Sequence, residues 1–391
     1  MNNKIMAVAA VAILAIAAVG VVLLIDDEEE DGSITIVDGA NKTIKLDSPL
    51  TKVAVLNKNV PNAMKMLGID DTIECYHYSG SIGINAETLQ KTESDRKLGT
   101  YYTPSIETLL KYEVEALICP VSSMTIYSNG EKSCEQNGIK VIRLDCNGDT
   151  ILEDLKKLSK VFGDPQSAVS IINEYEGERK GMISAIGEAI DGKDLYDFLA
   201  VFGSRNSMYN TASEMSGLME TIFDKNVTSY TDLPTTSVTN MINSSSQEAI
   251  SEVMDKVDVV LMRTDHAVEG SVAPISYDEF IGNGTNKLVT TSSPAYQNNR
   301  IYSIESGIMS GLYGHIGLLI LVNCIYDVQV DGYSDINKVI TDFQEKYDQS
   351  IIVTPSAGET IESEDVTSDL VYQFGKDLPA NGVCVFEYQE N

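Results

Sequence analysis

Two stretches about 140 residues apart share one pattern, and it constrains the fold more than any other feature of the chain. Ser105-Ile106-Glu107 opens a helical turn or two and leads to Glu115-Ala116-Leu117-Ile118-Cys119-Pro120. Ser246-Gln247-Glu248 opens a similar helix and leads to Asp258-Val259-Val260-Leu261-Met262. A run of four or five apolar residues bounded by acids and turn formers reads as a strand buried on both faces, and a helix delivering into such a strand implies a parallel α/β sheet. One copy in each half predicts two similar lobes with a ligand space between them.

At 391 residues the chain exceeds what one hydrophobic core usually spans, which agrees with two lobes. The first is expected over 34–148. It opens with a hairpin joining 34–38 to 43–46 and continues with a strand at 52–57, a helix at 61–67, a strand at 73–76, the first copy of the pattern, a helix at 131–137 and a strand at 141–145. A helical linker over 149–190 follows. Within it Asp164 suits an N-cap and Pro165 a first helical position, and Ala168, Ile171, Ile172, Tyr175, Met182, Ile183, Ile186 and Ile190 give the next helix one apolar face. The second lobe is expected over 191–348, opening with a strand at 195–202 and running through a strand at 300–304 to helices at 311–326 and 336–347. The fold class is therefore α/β: two Rossmann-like lobes with parallel sheets, joined by a single long interlobe helix. Residues 349–391 read as a polar linker and C-terminal extension ending in an edge strand.

Charge and the N-terminal segment place the chain. Lys and Arg total 28 against 58 Asp and Glu, a formal charge of -30, which opposes nucleic acid and anionic headgroups as partners. Ile5 to Ile25 carries no charge or proline and spans about 30 Å as a helix, the thickness of a bilayer core. Lys4 lies before it and an acidic spacer over 26–33 after it, which puts the N-terminus in the cytoplasm and the rest outside. Its length favours residues 1–25 as an uncleaved transmembrane anchor over a cleaved signal peptide. The expected location is extracytoplasmic: held to the outer face of the cell membrane, or secreted after cleavage.

Ligands of open α/β sheets meet the loops at strand carboxyl ends. Those loops carry Tyr76, His77 and Tyr78; Tyr101 and Tyr102; Arg205 and Tyr209; and Arg263 and His266. Tyrosine supplies flat apolar area with a hydroxyl, and arginine a fixed bidentate charge, a combination suited to a bulky chelate bearing carboxylates. The 3 histidines, His77, His266 and His315, all fall at expected cleft loops, so bare transition-metal binding through these three is one alternative; a surface sensor or interaction protein that keeps the fold without transport is another. The 6 cysteines show no Cys-x-x-Cys spacing, and Cys75, Cys119 and Cys146 at strand ends read as small buried residues. No Gly-x-Ser-x-Gly elbow and no Gly-Lys-Ser or Gly-Lys-Thr loop is present, so the class expected is a binding protein, without a cofactor, rather than an enzyme.

Three stretches carry a family resemblance. Leu98-Gly99-Thr100, then Pro104-Ser105-Ile106-Glu107-Thr108-Leu109-Leu110, then Glu115-Ala116-Leu117-Ile118 form one. Asn299-Arg300-Ile301-Tyr302, leading through Gly311 and Leu318 to Tyr326, forms another, and Gly163-Asp164-Pro165 with its following helix the third. In order and spacing they resemble the periplasmic-type substrate-binding proteins of ABC importers, in the class serving iron-siderophore complexes, haem and cobalamin. The resemblance implies capture of a small-molecule metal chelate and delivery to an ABC permease with its cytoplasmic ATPase. It also implies that one exposed glutamate per lobe, here Glu107 and Glu248, engages arginines of the permease. The chain departs from the family at Val114-Glu115 and Val257-Asp258, where Pro-Asp is usual. Glu248 stands ten residues before its acid and Glu107 eight, which leaves Glu248 out of step.

Overall fold

In the computed structural model, β3 (Val53–Val55), β4 (Ile73–Tyr76), β7 (Ala116–Cys119) and β8 (Lys140–Arg143) form a parallel sheet in the order β4-β3-β7-β8. The structure describes residues 33–57, 59–77, 96, 98–100, 103–121, 128–202, 207–209, 218–219, 222–223, 225–226, 241–243, 257–264, 289–305, 307–349, 368–379 and 383–388. Before the sheet comes the antiparallel hairpin β1 (Ile34–Val37) and β2 (Thr43–Leu46), at the expected place. β5 (Gly99–Thr100) and β6 (Thr103–Pro104) form a small separate pair.

Alternation along these strands divides the first lobe's core in two. Val53, Val55, Ala116, Ile118, Ile142 and Leu144 face one cluster, while Ala54, Leu56, Leu117, Cys119 and Val141 face another. Both faces of the sheet are therefore covered, which is why the strands read as unbroken apolar runs. Helices α1 (Val60–Met66) and α4 (Ile151–Val161) supply Ala63, Met64, Leu155 and Leu158 to the first cluster. Helices α2 (Ile106–Lys111) and α3 (Ser128–Gln136) supply Leu109 and Cys134 to the second.

The second sheet joins β9 (Asp197–Phe202), β10 (Ser207–Tyr209), β11 (Lys225–Asn226), β12 (Met241–Asn243), β13 (Val259–Thr264), β14 (Ile301–Glu305), β15 (Ser368–Phe374) and β16 (Val383–Tyr388). Its order is β12-β10-β9-β13-β14-β15-β16, with β11 beside β9. The β9-β13-β14 centre is parallel, and β13 lies between two neighbours as β7 does in the first sheet. The two copies of the sequence pattern thus end in interior parallel strands of different sheets. The helix of the second copy lies outside the described residues.

Two features differ from the sequence reading. The C-terminal extension closes on the expected edge strand, β16, but it is built into the second sheet rather than appended: β15 pairs antiparallel with β14, and β16 with β15. Asp164 caps no helix start. Gly163, at φ +84°, and Asp164, at φ +48°, close α4 instead, with Gly163 N–H on Lys160 O and Asp164 N–H on Ser159 O, both at 3.0 Å. The next helix, α5 (Gln166–Ala189), has Pro165 as its N-cap residue and so begins one residue later than expected.

α5 follows the first sheet in the chain and precedes the second. Its buried residues Ala168, Ile172, Tyr175, Met182 and Ile186 recur at helical spacing. A four-residue turn, α6 (Pro294–Gln297), precedes β14; after it come α7 (Gly314–Tyr326), buried from Gly314 to Val322, and α8 (Ile336–Tyr347). α8 is started by Asp335, whose side chain accepts the Lys338 N–H at 3.0 Å, and it buries Ile336, Ile340, Phe343 and Tyr347. Ile34–Asn391 forms one compact unit, and a single cluster of buried residues runs from Val53 of the first sheet to Leu261 of the second.

Candidate functional site

The carboxyl ends of the first sheet lead into three polar segments. After β3, Asn57 is buried and donates from Nδ2 to Leu144 O at 2.9 Å and to Asp145 O at 3.2 Å; its Oδ1 accepts the Asn59 N–H at 2.8 Å. After β7, the Val121 N–H donates to Asp145 Oδ1 at 2.9 Å. After β8, the backbone turns through Cys146, at φ +47°, into a 3-10 turn at Gly148–Thr150 that opens α4.

One buried acid holds that last turn. Asp154 Oδ2 accepts the Asp145 and Cys146 N–H groups at 3.1 and 3.0 Å and the Thr150 hydroxyl at 2.9 Å. Burial raises its pKa, and the hydrogen bonds from Cys146 and Thr150 pull the other way. The carboxylate satisfies backbone donors that a tight turn would otherwise leave open. The loops at the ends of β3, β7 and β8 are in this way fixed to one another.

In the second lobe the described loop after β14 runs from Gly307 through Ser310 into the 3-10 turn Gly311–Tyr313 that opens α7. It meets the first lobe directly: the Gly311 N–H donates to Asn147 Oδ1 at 2.7 Å. Two further links between first-lobe and second-lobe segments lie at the end of α8. Lys65 pairs with Asp348 at 3.1 Å, and Gln349 Nε2 donates to Asn62 O at 3.3 Å.

The expected contact residues are placed as follows. Tyr76 is a core residue, 1 % exposed, in the cluster with Ile73. The reason is an irregularity in the β3-β4 register: Val53 pairs with Ile73 but Ala54 with Cys75, so Glu74 is the extra residue and Tyr76 turns to the inner face. His77 follows at the strand end, half-buried, with its N–H on Val55 O at 3.0 Å. Tyr209 lies on β10, and Arg263 lies on β13 opposite Phe202 of β9; their side chains are outside the described residues. Tyr78, Tyr101, Tyr102, Arg205, His266 and Glu248 also lie outside them.

Glu107 is exposed in the first turn of α2, behind a Ser105 cap that accepts the Thr108 N–H at 3.2 Å. His315 is not in a loop. It sits in the first turn of α7, 1 % exposed, with edge contacts to Tyr175 and Phe343 at ring-centroid distances of 5.5 and 5.7 Å. An apolar helix crossing the core carries it inward, and in that packing it cannot meet a ligand in a cleft. Among the described residues no group of three His, Cys, Asp or Glu is placed to hold a metal ion. Cys75, Cys119, Cys134 and Cys146 are buried and in no disulfide, and burial pushes Cys119 up to about 12 and Cys134 to about 11, so these two are protonated apolar residues rather than thiolate ligands.

Asn57, Asn59, Asn147 and Asp154 were not singled out in the sequence. A signal for the three asparagines exists: Asn57-Lys58-Asn59 precedes Val60-Pro61 at a helix start, and Asn147-Gly148 is a turn pair. The expected anchor at 5–25 lies outside the described residues, among which no helix is long and apolar enough to cross a membrane.

No family model matches the sequence, and neither does any curated protein sequence. Solved structures do match. The molybdate periplasmic binding protein MolA of Haemophilus influenzae, bound to molybdate, aligns with a TM-score of 0.58 at 14% identity over 80% of this chain and 97% of its own. An ABC-type Fe3+-hydroxamate transport system structure from Saccharomonospora viridis aligns at 0.52 and 15% identity, over 73% and 96%. A periplasmic haem-binding protein from Pseudomonas aeruginosa aligns at 0.51 and 16% identity, over 71% and 93%. With its two sheets and the loop junction between their carboxyl ends, the chain has the two-lobed α/β fold of the periplasmic binding proteins of ABC importers.

Proposed function

We propose that the protein is an extracytoplasmic binding receptor of an ABC importer that captures a metal chelate of the iron-siderophore, haem or corrinoid kind and delivers it to the permease. The observation that carries this reading is the junction of strand carboxyl ends from both lobes, at Asn147 and Gly311, in a fold shared with binding proteins for such ligands. The sequence adds tyrosines and arginines at the same strand ends, and Arg263 and Phe202 are register partners on neighbouring parallel strands. The N-terminal segment would hold the receptor at the outer face of the membrane.

Native mass spectrometry of protein purified from its source tests the ligand. An added mass with a metal isotope pattern and an organic remainder is expected; a bare metal ion, or an oxyanion alone, sinks the chelate. With Trp 0 and Tyr 19, quenching of tyrosine fluorescence by added haem, ferric hydroxamate or cobalamin reports binding independently.

Delivery has its own test. Glu107 is exposed on α2, so its reversal to lysine should leave stability within about 0.5 kcal/mol. Uptake through the cognate permease is expected to fall about tenfold, equivalent to about 1.4 kcal/mol of docking energy, because a like-charged pair would replace an attractive one. Unchanged uptake by Glu107→Lys removes Glu107 from the docking surface.

A further inference from the structure

Two helical segments from different lobes begin at one side chain. α4 opens through the 3-10 turn whose first N–H, at Gly148, donates to Asn147 Oδ1 at 2.9 Å. α7 opens through the turn at Gly311–Tyr313, and its own N-cap residue, Ser310, makes no side-chain cap hydrogen bond. Its Gly311 N–H goes instead to the same Asn147 Oδ1, at 2.7 Å. A carboxamide oxygen has two lone pairs, and both are directed here to helix starts.

The surroundings fit this shared cap closely. Gly311 has φ +58°, and a Cβ on it would meet Asn59 Oδ1 at 3.2 Å, so only glycine approaches with ease. Asn147 is extended, at φ -151° and ψ 160°, with its carbonyl oxygen 3.1 Å from the Thr150 hydroxyl oxygen. The two residues before it are held through their N–H groups by Asp154. The acceptor is thus rigid on the first lobe, and the donor belongs to the second.

We propose that Asn147 is a positioning residue that sets the spacing of the lobes at the ligand cleft by capping at once the two 3-10 turns that lead into α4 and α7. Other described links persist when this cap is lost, among them Tyr175 Oη to Leu312 O at 2.9 Å, Tyr347 Oη to Glu178 Oε2 at 2.6 Å and those at the end of α8. Loss therefore releases a rotation about those links rather than a separation. Replacement by aspartate keeps the acceptor and places a negative charge at the positive ends of two helices, which tightens the connection. The inference stands apart from the identity of the ligand and of the permease.

The test uses the full chain with spin labels on Lys132→Cys of α3 and Asp331→Cys between α7 and α8, both exposed sites, in a Cys324→Ser, Cys384→Ser background. Pulsed dipolar spectroscopy reads the distance between them. Asn147→Ala is expected to shift or broaden the distribution by about 2 Å or more, the scale of a lobe rearrangement, while Asn147→Asp keeps the parent distribution. An alanine variant that superimposes on its parent with unchanged circular dichroism overturns the proposal, and so does an aspartate variant as broad as alanine. If the alanine variant does not fold, hydrogen exchange in the unmodified protein decides. A Gly311 amide as slow as the interior of α7 supports the shared cap, and one as fast as an open loop overturns it.

Discussion

Tyr175→Ala is expected to destabilise the protein by about 4 kcal/mol, and Tyr175→Phe by about 1 kcal/mol. The tyrosine is fully buried on α5, and its ring is the meeting point of three helices: it touches His315 of α7 edge-on at 5.5 Å, and Phe343 and Tyr347 of α8 at 6.3 and 5.9 Å. Truncation empties a volume whose walls are themselves helix-borne aromatics, so little collapse can follow, and the loss is that of a large buried aromatic. Phenylalanine keeps the ring and removes only the hydroxyl, leaving Leu312 O without its 2.9 Å donor. Midpoints of guanidinium unfolding at constant slope measure both. An alanine cost well under the about 3 kcal/mol floor for such truncations would mean that α5 is not anchored here. The ion pairs on the same helix contribute far less: Lys346 with Glu174 at 2.7 Å and with Glu178 is solvent-exposed, a class worth about 1 kcal/mol or less.

What the sequence revealed and what it concealed divide along the range of the interactions. The strands at 73–76 and 116–119, the helix at 336–347 and the long helix after Pro165 follow from periodicity and punctuation over a dozen residues, and the structure has them within a residue or two. Tyr76 shows where that reading ends. Its strand is where the pattern puts it, but the face it occupies depends on a register irregularity at Glu74 that involves β3, some twenty residues earlier. His315 fails for a related reason. The glycines at 311, 314 and 317 read locally as a loop, yet a Cβ on Gly317 would lie 2.5 Å from Ile308 O, and on Gly314 2.8 Å from Leu218 Cδ2. Gly314 and Gly317 are spaces through which a helix packs against its neighbours, while Gly311 is the turn that opens it. Asn147 is the extreme case: its partner at Gly311 is 164 residues away, and no local pattern can announce a cap that a helix borrows from another lobe.

Replacing His315 with leucine is expected to remove about 2 kcal/mol of the stability change between pH 7 and pH 5. In the folded protein the imidazole is buried, and burial, with the Arg179 charge adding to it, outweighs a hydrogen bond with the Leu312 backbone and lowers its pKa from 6.5 to about 3. The unfolded chain therefore takes up a proton as pH falls through 6.5, whereas the folded protein resists it until about 3. The contribution is whole above about 6.5 and is lost progressively towards 3, so at pH 5 some 1.5 units at about 1.4 kcal/mol each have gone. The groups facing the ring are Tyr175 and Arg179 from α5, the Leu312 backbone and Phe343 from α8; the Leu312 hydrogen bond favours the imidazolium, but none of them supplies a negative charge. Asp149 and Asp154, raised by burial, work in the opposite sense as acid is added, which makes the difference between parent and variant the informative quantity. Unfolding free energies of both proteins at the two pH values measure it. A leucine variant with the parent's full pH dependence would show that the histidine is already satisfied in the fold, by a partner or by water reaching the α5-α7-α8 core.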